Sequence, residues 1–172
     1  MQYALVFSDS HRVQEPIRAL LALFEKQIAA AIHLGDFAGD LLGLQPEFPK
    51  LPMYAVQGNC REGGDFDTER IVSLGGKKIL ITHGHLQHVK YSTDRLAYYA
   101  QEREADACLF GHTHEPDVFR AGETLFVNPG SIGFPHSPCK PTYGVLDIDK
   151  NGIDAGIVEI YAENKFRSWL SG

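Results

Sequence analysis

Five short apolar runs in this chain each stop at polar residues of one chemical kind. Tyr3–Phe7 gives way to Ser8-Asp9-Ser10-His11, Ala30–Leu34 to Gly35-Asp36, Met53–Val56 to Gly58-Asn59, Lys77–Thr82 to His83, and Ala107–Phe110 to Gly111-His112-Thr113-His114. Runs of this length, rich in aliphatic and aromatic residues and bounded by glycine or polar clusters, read as strands. In open α/β sheets the carboxyl ends of the strands line the crevice where ligands bind. Residues far apart in the chain would therefore meet at one edge of a sheet. The two-residue spacing in Asp9/His11 and in His112/His114 lets both side chains of a pair face one side. A glycine stands before Asp36, Asn59 and His112, where it is expected to let the backbone turn sharply.

The rest of the pattern fits the same reading. Ile17, Leu20, Leu21, Phe24 and Ile28 recur at three- and four-residue steps, the stripe of an amphipathic helix with Pro16 near its start. A second helix is expected over Asp94–Glu104, capped by Ser92, Thr93 or Asp94. Three hairpins follow from strand pairs around Gly75-Gly76, Ala121-Gly122-Glu123 and Lys150-Asn151-Gly152. Early strands alternate with helices and later ones mostly pair as hairpins, without repeat or linker. One α/β domain over residues 1–172 is the expectation.

Charge and cysteine usage exclude several classes. A net charge of −6 argues against gripping long nucleic acids, which requires a surplus of Lys and Arg. Tyr3–Phe7 is too short for a signal-peptide core or a membrane span, so a cytoplasmic protein without membrane contact is expected. Cys60, Cys108 and Cys139 form no C-x-x-C pair and read as reduced thiols rather than a disulfide framework or zinc knuckle.

Imidazoles, carboxylates and an amide oxygen suit borderline divalent ions. Asp9, His11, Asp36, Asn59, His83, His112 and His114 are too many for one tetrahedral ion and about right for two ions sharing a carboxylate. Two ions about 4 Å apart generate a bridging hydroxide and clamp a phosphoryl group during in-line displacement.

In order and spacing, Asp9-x-His11, Gly35-Asp36, Gly58-Asn59, His83-Gly84-His85 and Gly111-His112-Thr113-His114 resemble the five motifs of the calcineurin-like metallophosphoesterases. The flanking text, Ile32-His33-Leu34 and Asn128-Pro129-Gly130-Ser131 included, is similar to the small YfcE-like phosphodiesterase branch. The likeness runs from Met1 to about Leu146. It implies a four-layer α/β/β/α sandwich with two central mixed sheets. It also implies that Asp9, His11 and His114 hold one ion, Asn59, His83 and His112 the other, and that Asp36 bridges them. Manganese is the favoured metal, with nickel, iron, cobalt or zinc as substitutes. The implied reaction is hydrolysis of a small phosphodiester. The alternatives are a phosphomonoesterase or phosphoprotein phosphatase, and a protein-interaction scaffold like the retromer subunit of this fold. Relatives form dimers or larger assemblies, so a homodimer or homotetramer is a further expectation.

The chain departs from the family after Asn59. Many relatives continue with His and an acidic residue, whereas here Cys60 and Arg61 follow. A thiol is a poor acid at neutral pH, so Cys60 is expected to pack behind the site. Arg61 is either a phosphate clamp or a solvated loop residue. His85, two residues beyond His83, is the candidate to protonate the leaving group or orient the substrate phosphate. His33 reads as a packed structural histidine, His88 as solvent-facing, His136 as a surface-loop residue, and Asn128–Ser131 as support for the His112–His114 loop.

Overall fold

The computed structural model describes residues 1–60, 62 and 64–160, so Arg61, one of the expected substrate contacts, lies outside them. The elements run β1 (Gln2–Phe7), α1 (Glu15–Phe24), β2 (Ile28–His33), α2 (Gly39–Leu42), β3 (Met53–Ala55), β4 (Glu69–Leu74), β5 (Lys77–Thr82), α3 (Asp94–Glu102), β6 (Ala107–Leu109), β7 (Pro116–Ala121), β8 (Thr124–Pro129), β9 (Thr142–Ile148) and β10 (Ile153–Glu159). One sheet has the order β10-β9-β1-β2-β3 and the other β4-β5-β6-β8-β7. Both are mixed. β1, β2 and β3 run parallel in the first, and β5, β6 and β8 in the second.

Alternation along the strands builds the layers. Ala4 and Val6 of β1 point into a core shared with Ile79 and Ile81 of β5 and Leu125 and Val127 of β8, so the two sheets pack face to face. Leu5 and Phe7 point the other way, onto Ile17, Leu20, Leu21 and Phe24 of α1 and Leu41 of α2. On the far side Leu80, Cys108 and Phe126 meet Leu96 and Ala100 of α3. The result is the four-layer α/β/β/α sandwich. Each fully buried Leu of the α1 stripe contributes about 1.5–3 kcal/mol of transfer energy, enough to hold the helix on its sheet.

Two boundaries differ from expectation. Ile28, read as the last member of the α1 stripe, opens β2 and pairs with Tyr3, because the chain turns after Phe24 and strand pairing takes over. α3 ends at Glu102 rather than Glu104, which sits at φ 52° and cannot continue a right-handed helix. At its start, Asp94 N–H donates to the Ser92 hydroxyl at 3.1 Å. No helix among the described residues is long and apolar enough to cross a membrane.

Candidate metal centre

The strands deliver their polar residues where the ladders run out. Leu34 N–H donates to the Phe7 carbonyl at 2.9 Å, Asp9 N–H to the Gly35 carbonyl at 3.0 Å, and Gly111 N–H to the His83 carbonyl at 3.1 Å. These bonds hold the backbone in register as it leaves each sheet. The departure is strained: Asp9, His11, Asp36, His112 and His114 all have φ between 47° and 70°, a region that costs a non-glycine residue about 1–3 kcal/mol. The expected glycine turn occurs only at Gly35, φ 99°. Gly58 and Gly111 are needed for space, since a Cβ would run into Asp36 Oδ1 at the first and Ser8 Oγ at the second.

All seven expected groups converge. Ligand atoms of Asp9, His11, Asp36 and His114 lie within 4.8 Å of one another. Asp36 Oδ2 is 3.7 Å from His11 Nε2, and its Oδ1 is 3.6 Å from His83 Nε2. Asn59 Oδ1 lies 3.0 Å from His83 Nε2, and the His112 ring is 5.0 Å from that of His83. Asp36 therefore faces both groups of donors.

The donor chemistry fits a cation. His83 Nδ1 donates to the Leu34 carbonyl at 2.7 Å and His114 Nδ1 to the Phe134 carbonyl at 2.6 Å. A carbonyl only accepts, so in each neutral ring Nε2 is a bare lone pair turned toward the centre. Asp9 Oδ1 makes no hydrogen bond, although His114 Nε2 stands 3.1 Å away and His83 Nε2 3.9 Å away. Its Oδ2 accepts the Ser8 hydroxyl at 2.5 Å and His112 N–H at 3.1 Å. His11 Nε2 is likewise buried without a hydrogen bond. Electron pairs facing electron pairs in a dry site are costly unless a positive charge sits among them.

The protonation equilibria respond to that need. Burial raises the Asp9 pKa, but the imidazoles of His114 and His83 and the Ser8 hydroxyl outweigh it and bring the carboxyl down to about 2. Burial opposes charge on His114, yet Asp9 and the Phe134 carbonyl raise its pKa. Burial, then His83 and Lys90, lower His112 to about 4. Cys60 is half-buried beside Asp36, whose Oδ1 accepts its backbone N–H at 2.9 Å. Burial, then Asp36, push its thiol up to about 11, so it stays a thiol.

The other candidates fall as follows. His85 is half-buried, its ring 5.4 Å from His83 and 6.1 Å from His112. His88 is exposed and His33 is fully buried in β2. His136 is exposed on its loop, but its ring stacks on His114 with centroids 4.4 Å apart. Asn128 Nδ2 donates to the Gly111 carbonyl at 3.1 Å and the Thr113 hydroxyl at 2.8 Å, and Ser131 Oγ donates to the Asp9 carbonyl at 2.7 Å. This segment supports both the His112–His114 loop and Asp9. Four supports went unread in the sequence: Ser8, the His33–Ser10–Asp40 chain, Phe134, and Glu62, which accepts the Ala38 and Gly39 N–H groups at 2.7 and 3.0 Å. Only Glu62 carries a signal, an acidic residue displaced by one from the family position.

Residues 1–151 match the model of the calcineurin-like phosphoesterase superfamily domain. The chain is 36% identical over 160 residues to the probable metallophosphoesterase YsnB of Bacillus subtilis, covering 91% of this chain and 89% of that one. It is 28% identical over 160 residues to a phosphodiesterase of Methanocaldococcus jannaschii, covering 84% and 92%. Among solved structures, a predicted phosphoesterase from Streptococcus pneumoniae superposes with a TM-score of 0.80 at 31% identity, over 94% of this chain and 93% of that one.

Proposed function

The chain belongs to the calcineurin-like phosphoesterase superfamily, and from that premise we propose that it hydrolyses small phosphodiesters using two divalent ions, manganese by preference. The observation that supports this reading is the cluster of Asp9, His11, Asp36 and His114, in which Asp9 Oδ1 and His11 Nε2 are buried atoms without hydrogen bonds. Asp9, His11 and His114 would hold one ion, Asn59, His83 and His112 the other, and Asp36 would serve both. Such a pair supplies a water of lowered pKa and neutralises charge on the phosphoryl oxygens. Two divalent ions against two carboxylates leave a formal charge of about +2, which draws phosphate into a protein whose net charge is −6.

The chain's own residues set the rest. The Leu34 and Phe134 carbonyls fix the tautomers of His83 and His114, so each presents Nε2 to the centre. Burial, then His83, lowers the pKa of His85 and keeps it neutral, with one N–H available to orient a phosphoryl oxygen. Arg61 follows Asn59 by two residues and is the second candidate for that task. The diester preference is supported by the M. jannaschii relative, whose name is that of a phosphodiesterase. A full donor set speaks against a purely scaffolding role.

The test compares bis-p-nitrophenyl phosphate with p-nitrophenyl phosphate on manganese-loaded protein, with metal analysis and Asp36→Ala as control. Faster hydrolysis of the diester, near two ions per chain, and loss of both in the variant are expected. Faster monoester hydrolysis would reassign the substrate class, and a chain that binds no metal would remove the enzyme reading altogether.

A further inference from the structure

The His11–His114 side of the centre is walled by aromatic rings that metal binding does not require. Phe134 stands on the loop after Ser131 with 61% of its surface exposed. Its ring centroid is 5.8 Å from that of His11 and 6.4 Å from that of His114, which it meets edge-on at 87°. Phe37, the residue after Asp36, lies 5.5 Å from His11 and carries the Arg12 guanidinium 5.1 Å over its ring. His136 lies flat on His114, the planes 15° apart. The centre thus has three rings at its edge beyond the histidines that converge in it.

The backbone of Phe134 explains its loop but not its side chain. Its N–H donates to the Ser131 hydroxyl at 2.7 Å and its carbonyl accepts His114 Nδ1 at 2.6 Å. Any residue other than proline could make both bonds. A benzyl group held in water forgoes the gain of burial, and this one is held within ring contact of two histidines of the centre. Two more large apolar side chains are exposed beside site residues, Val13 two positions after His11 and Leu86 next to His85.

A phosphate held among Asp9, His11, Asp36 and His114 would share two neighbours, His11 and His114, with Phe134. The group that reaches the ring is then the ester substituent of that phosphate. We propose that Phe134, which shares its His11 and His114 neighbours with Phe37 and His136, is a stacking platform for a planar ester substituent, so that the substrates are phosphodiesters bearing an aryl or nucleoside group. The inference rests on the phosphoesterase reading. Flat rings stack offset or edge-to-face on Phe, and a stacked ring on an aromatic side chain is worth on the order of tenfold in affinity.

Titration calorimetry of the manganese-loaded protein with phenylphosphonate and methylphosphonate tests it, because the two share an anionic head and differ in the ring. Phenylphosphonate is expected to bind about tenfold tighter. Phe134→Ala, which keeps both backbone bonds, should remove most of that preference, and Phe134→Tyr should retain it. Equal affinity for the two probes, or a preference that survives Phe134→Ala, overturns the platform while leaving the phosphoesterase reading intact. If neither phosphonate binds protein shown by metal analysis to hold manganese, that reading falls and the platform falls with it.

Discussion

Lowering the pH tests the burial of His33. This ring is fully buried on β2, its Nδ1 accepting Gly35 N–H at 3.2 Å and its Nε2 meeting the Ser10 hydroxyl at 2.8 Å. Ser10 in turn donates to Asp40 Oδ2 at 2.6 Å. The ring is therefore neutral with its proton on Nε2, and a second proton would have to sit on Nδ1 against the Gly35 N–H. Burial lowers its pKa to about 4 although the Asp9 and Asp36 carboxylates pull the other way. In the unfolded chain the ring titrates near 6.5. Between pH 6.5 and about 4 the unfolded state holds the extra proton, so stability falls as pH drops through that window and is insensitive to His33 above it. At ~1.4 kcal/mol per pH unit the displacement amounts to about 3 kcal/mol. Urea unfolding in the presence of a chelator, at pH 7.5 and pH 4.5, should show His33→Gln losing roughly 2–3 kcal/mol less than the wild type on acidification. The same pH dependence in both proteins would refute a neutral, depressed His33.

Three further outcomes are expected. Gly58→Ala should displace the Asp36 carboxylate and cost about 1–3 kcal/mol, with a lower manganese stoichiometry; Gly152→Ala, where a methyl group meets nothing within 4 Å, is the control, and full metal loading in Gly58→Ala would contradict the geometry. Glu62→Gln replaces one of two carboxylate acceptors at Ala38 and Gly39 with a donor, which should cost about 1 kcal/mol and lower Tm by roughly 2–4 °C in a scan. His85→Asn should reduce kcat at least tenfold while metal content stays at the wild-type level; unchanged turnover would remove His85 from the reaction.

The strands and their polar ends were legible because apolar runs and the residues that terminate them are local features. The helical stripe Ile17–Phe24 was legible for the same reason, and its overextension to Ile28 shows the weakness of periodicity at a boundary. α2 has four residues, less than the pattern needs to declare itself. The four-layer stacking came from the resemblance, not from periodicity: alternation tells that a strand has two apolar faces, not which partner each one meets.

The sequence by itself determined the identity and order of the donors, because an imidazole, a carboxylate and an amide at five strand ends are written residue by residue. Only the tertiary structure decided how they are held. The left-handed backbone at five donor residues, the carbonyls that set the His83 and His114 tautomers, the His33–Ser10–Asp40 chain and the ring of Phe134 beside His114 all depend on groups remote along the chain. Such contacts leave no local period or spacing, since they form only when the folded sheets bring segments distant in the sequence together.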